Sequence, residues 1–75
     1  MTTKASSLTK REIEVLNLVR QGMTNKEVAC LLSIKPVTVE FHLGNIYRKL
    51  GALTRMSAVL LAEKKGIFEA MEIHR

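Results

Sequence analysis

The span Thr24 to Leu50 confines this chain more than any other stretch, because it encodes two helices with almost nothing between them. Thr24 is followed three residues later by Glu27. That is the spacing of a capping box, in which each side chain satisfies a free backbone N–H of the other residue. A second start lies at Lys35-Pro36; proline in the first helical position gives up no hydrogen bond and fixes φ in advance. Only Ser33 and Ile34 stand clearly between the two segments. Helices joined this tightly cross steeply, the geometry of a helix-turn-helix, and in DNA-binding examples the second helix enters the major groove.

The remaining pattern is also helical. A first helix is capped by Thr9, with Glu12 completing another capping box; Ile13, Leu16 and Val19 share one face, supported by Val15 and Leu18, and Gly22 stops it. The second runs from about Asn25 to Leu32 and the third from Pro36 to about Leu50, where Gly51 ends it. Thr54 caps a fourth that continues to Lys65, before Gly66. Strand-like alternation is absent, so the fold class is all-α, a four-helix domain. Residues 1–7 read as a flexible arm ahead of one domain over 8–75. Within that domain, Ile67–Arg75 either packs another turn through Phe68 and Met71 or frays. With 75 residues, 47% of them apolar, the chain supports one small core. Its aromatic residues are only Phe41, Tyr47 and Phe68, so that core rests on aliphatic side chains and methionine.

Charge narrows the choice of partner. Twelve basic against seven acidic side chains give +5, a balance that favours an anionic partner, most often nucleic acid. The excess is local. Residues 24–55 carry five cations against Glu27 and Glu40, a net +3, whereas residues 56–75 carry three against three. A lone cysteine, Cys30, cannot close an internal disulfide; lying among Val28, Ala29, Leu31 and Leu32 it reads as a small buried hydrophobe. With neither a signal peptide nor an apolar run of about 18 residues, this places the chain in a reducing cytoplasm, without a membrane partner. No His/Cys cluster has metal-ligand spacing. His42 has no neighbouring Ser, Cys or paired carboxylate and therefore no catalytic partner, so no enzyme, metal or cofactor is expected.

The third helix has two unlike faces. Val39, Leu43, Ile46 and Leu50 follow i, i+4, i+7, i+11 and must face the core. The opposite side carries Val37, Glu40, Phe41, Gly44 and Arg48. Val and Phe one turn apart are unusual on a solvated helix; on a recognition helix, Val37, Glu40, Phe41 and Gly44 would meet base edges.

These features together resemble the LuxR-type helix-turn-helix domain, the output domain of quorum-sensing and response regulators. The resemblance rests on Leu8-Thr9-x-Arg11-Glu12-x-Glu14-Val15-Leu16, Gly22-x-Thr24-Asn25-Lys26-Glu27-Val28-Ala29 and Leu32-x-Ile34. It continues through Thr38-Val39-x-x-His42-Leu43-x-Asn45-Ile46-Tyr47-Arg48-Lys49-Leu50-Gly51 and Arg55-x-x-Ala58-Val59-x-x-Ala62. It implies a four-helix domain that binds double-stranded DNA, usually as a dimer through the last helix, and controls transcription, either alone or within a larger regulator. RNA polymerase is a further candidate partner; no small-molecule ligand is implied.

Within that resemblance Thr24, Asn25 and Lys26 approach a phosphate at a helix N-terminus, where backbone N–H groups favour an anion. Thr38, Arg48 and Lys49 join them as phosphate contacts, which supply affinity and register but not sequence choice. The chain departs from the family at the reading face. A basic residue commonly follows the Thr-Val pair, where this chain has Glu40; Phe41 and Gly44 complete an unusual surface. Lys35 replaces the usual capping Ser. Either Glu40 accepts from cytosine N4 while Val37 and Phe41 touch thymine methyls, or the face has become a protein contact, as in an anti-activator. On the fourth helix Ala58, Val59 and Ala62 suffice for packing, which leaves Met56, Leu60 and Leu61 for an isologous homodimer, one that in isolation forms only on DNA.

Overall fold

The computed structural model describes residues 7–69. It contains, among these residues, four α-helices and no strand: α1 (Lys10–Arg20), α2 (Asn25–Leu32), α3 (Pro36–Leu50) and α4 (Arg55–Lys64). Apart from Ser7, the expected N-terminal arm lies outside the described residues, as does Met71.

Local chemistry sets the boundaries. Thr9 and Glu12 form the reciprocal capping box of α1, and Thr24 and Glu27 that of α2. Beyond α1, Gly22 at φ 94° lets its N–H reach Val19 O while the Met23 N–H reaches Leu18 O, the paired bonds of a Schellman ending. Thr54 caps α4 through Ser57, a box the sequence reading misses because serine stands where Glu or Gln is usual. The helix ends at Lys64, with Lys65 as its cap, one residue before the expected limit.

The core draws on every helix. Val15, Leu16 and Val19 from α1 meet Val28 and Ala29 from α2, Val39, Leu43, Ile46 and Leu50 from α3, and Ala58 and Ala62 from α4. Phe68 is buried beyond α4, and the Arg20 guanidinium lies 4.3 Å from its ring centroid. Of the packing proposed for the end of the chain, the Phe68 contact is present. Helix α3 occupies the middle and packs on all three others. Small Ala58 and Ala62 let α4 approach closely.

Three sequence expectations shift by one helical position. Ile13 is only half-buried, and the inward stripe of α1 instead begins at Glu12. Cys30 is exposed, because Val28 and Ala29 fix the buried side of α2 and each further residue turns roughly 100° away. Leu61 is half-buried and packs against the core, so it is not a free surface residue like Met56 and Leu60.

Candidate nucleic-acid interface

The turn between α2 and α3 is closed by Ser33, whose φ of 59° and ψ of 44° place it in the left-handed region. Its conformation lets the Ile34 N–H reach Ala29 O at 2.9 Å, while Ile34 packs against the core. At Lys35 the backbone carbonyl accepts from the Thr38 and Val39 N–H groups, but the side chain makes no capping bond. The start of α3 is thus held by Pro36 and by backbone bonds.

With Val39, Leu43, Ile46 and Leu50 buried, the opposite side of α3 faces solvent. Val37 is 64% exposed and Phe41 66%; Glu40, Gly44 and Arg48 are exposed too. All four base-facing candidates therefore share one open surface. The Phe41 and His42 rings lie 6.1 Å apart and tilted, with His42 half-buried behind the surface. Arg48 donates from Nη2 to Asn45 Oδ1, which holds the guanidinium along the outer edge.

Lys49, assigned to phosphates from the sequence, also has a partner within the chain. Its Nζ donates to Glu12 Oε1 at 2.8 Å, directing the ammonium inward to join α3 to α1. Glu12 is only 4% exposed, and the same oxygen accepts from the Thr9 N–H at 2.9 Å. Burial alone would raise its pKa. The Lys49 and Thr9 hydrogen bonds, with the nearby charges of Lys49 and His42, outweigh that and hold the carboxyl below its ordinary value. The two partners are 37 residues apart. Each also has a sufficient local role, in a cap or at a helix C-terminus, so no signal in the sequence joins them.

Thr24, Asn25 and Lys26 cluster at the N-terminus of α2, beside the first residue of α4. Arg55 donates from Nη1 to Asn25 Oδ1 and from Nη2 to Met23 O, both at 2.8 Å. It therefore joins the start of α2 to a helix distant in sequence. Lys26 is exposed, and Thr38 is half-buried in the first turn of α3. On α4, Met56 and Leu60 are exposed one turn apart; Leu53, just before the cap, is 92% exposed. Sequence reasoning misses Leu53 because it lies outside any helix.

Among the described residues no group of three or more His, Cys, Asp or Glu side chains could hold a metal, and no helix is long and apolar enough to cross a membrane. The arrangement offers hydrogen bonding, apolar contact and charge.

Comparison with known proteins agrees with this geometry. The family model described as bacterial regulatory proteins, luxR family, matches residues 6–62. The nitrate/nitrite response regulator protein NarP of Escherichia coli (strain K12) is 43% identical over 56 residues, 75% of this chain and 26% of that protein. The crystal structure of the response regulator ChrA, from a heme-sensing two-component system, superposes with a TM-score of 0.77 at 40% identity, covering 80% of this chain and 30% of that one. The chain thus spans under a third of the length of either relative. The chain belongs to the luxR family of bacterial regulatory proteins and is a DNA-binding helix-turn-helix domain of that family.

Proposed function

We propose that the domain regulates transcription by sequence-specific reading of double-stranded DNA, with α3 in the major groove. The observation that carries this reading is the open outer face of α3, backed by a fully buried inner one and carried across by α2. Val37, Glu40, Phe41 and Gly44 face the bases. Glu40 accepts a hydrogen bond from cytosine N4, and Val37 and Phe41 touch thymine methyls. Thr24, Asn25, Lys26, Thr38, Arg48 and Lys49 meet phosphates, Lys49 with one of its donors already bonded to Glu12. Two copies join through the Met56–Leu60 side of α4 on a pseudo-palindromic site, in the cytoplasm, with RNA polymerase as the downstream partner.

Titration against selected and random duplexes at two salt concentrations tests this reading. Affinity should fall steeply with salt, and one motif should be preferred. A protein-contact module built on the same fold would show neither dependence, and that outcome would defeat the proposal. Glu40→Lys should tighten binding to random DNA and change the selected motif. An unchanged motif would remove Glu40 from the reading face.

A further inference from the structure

We infer that Gly44 sets how closely α3 approaches the duplex: the absent side chain is what lets the helix backbone close on the groove. This rests on the DNA reading above and adds a determinant of depth to it.

Among the described residues, nothing requires glycine at this position. It lies inside a fifteen-residue helix, and its φ is not among the positive values that only glycine adopts readily. Among the described residues, a Cβ added there would meet nothing within 4 Å, so no neighbour among them requires the space. Among residues other than proline, glycine is the least favourable in a helix interior, and alanine is better at no steric cost. A helical glycine that neither turns the chain nor relieves packing serves a close approach from outside.

Its position indicates what approaches. Gly44 lies three residues after Phe41, four after Glu40 and seven after Val37, the spacings of one helix face, and all four are exposed. Cations stand at both ends of this line. Lys35 is exposed at the start of α3, and Arg48, one turn beyond Gly44, is held by Asn45. Glu40 is the only acid in α3. A low central surface between exposed cations fits a polyanion better than an apolar partner helix. On a duplex, Val37 and Phe41 reach base methyls at full depth only if the next turn does not hold the helix off the backbone, and Gly44 removes that obstacle.

The test uses the full chain with its own selected duplex, measuring binding by fluorescence anisotropy and folding by thermal melts. Gly44→Ala should melt higher, by about 4 °C. It should nevertheless bind the selected duplex about tenfold more weakly, a difference of about 1.4 kcal/mol. Gly44→Leu should bind more weakly still while remaining folded. Opposite movement of stability and affinity is the signature, because a purely structural role would move them together. An alanine variant that binds as tightly as the parent overturns the inference and leaves the DNA reading intact. A parent that binds no duplex overturns both. If the parent self-associates without DNA and Gly44→Leu abolishes that association, the face belongs to a protein contact and the inference fails.

Discussion

Glu12 serves two elements through one oxygen: it accepts the Thr9 N–H that starts α1 and the Lys49 ammonium that ties down the end of α3. Because its pKa is lower folded than unfolded, the ionised form stabilises the native state. That contribution is fully present above the ordinary glutamate value of about 4.3. It is lost as pH falls through the lower folded value. Glu12→Gln keeps the shape and an acceptor for the cap but removes the charge. Urea melts at pH 7 should show a loss of about 1 kcal/mol. The variant should also lose less stability than the parent between pH 7 and pH 3, and equal losses would separate Glu12 from the acid sensitivity. Adding Lys49→Met to Glu12→Gln should cost less than the two separate changes combined, because both break one contact.

Each helix has a beginning written in its own residues, and for this reason the fold was legible. Thr9 with Glu12, Thr24 with Glu27, and Pro36 mark three starts without reference to tertiary contacts. The four-residue stripe of α3 then assigns its buried side, and with it the outward line from Val37 to Gly44. Rotational phase was less legible in short helices. Eight residues of α2 contain too few apolar contrasts to show that Cys30 turns outward, and a capping glutamate does not announce its own burial. Bonds between distant segments, Glu12 with Lys49 and Arg55 with Asn25, leave no periodic trace at all. The missing side-chain cap on α3 has a direct consequence. Lys35→Ser supplies an oxygen for the N–H groups of the first turn and should raise stability by about 1 kcal/mol, read as a higher urea midpoint at unchanged slope. No change would show that Pro36 and the backbone bonds alone hold the start of α3.

For the whole molecule, the proposed reading face and the proposed α4 contact act together only if two domains bind one duplex. Leu53, Met56 and Leu60 are three large exposed apolar side chains in and just before α4, whereas Ala58 and Ala62 are buried and Val59 and Leu61 pack against the core. A patch of this size is too small to hold two copies together firmly in solution, since stable interfaces bury about 1,200–2,000 Å² in total. A duplex changes the balance by holding two copies side by side at high effective concentration. Leu60→Asp places a charge on the patch at an exposed position of α4. On a duplex with two half-sites about 10 base pairs apart, the parent should bind cooperatively and the variant should fill the sites independently. On a duplex with one half-site the two proteins should bind alike, because the reading residues are unchanged. Mobility-shift titrations resolve singly and doubly occupied DNA and so report the two quantities separately. Cooperativity that survives Leu60→Asp would move the contact between copies away from α4, and equal weakening on both duplexes would mean that the substitution had disturbed the domain itself.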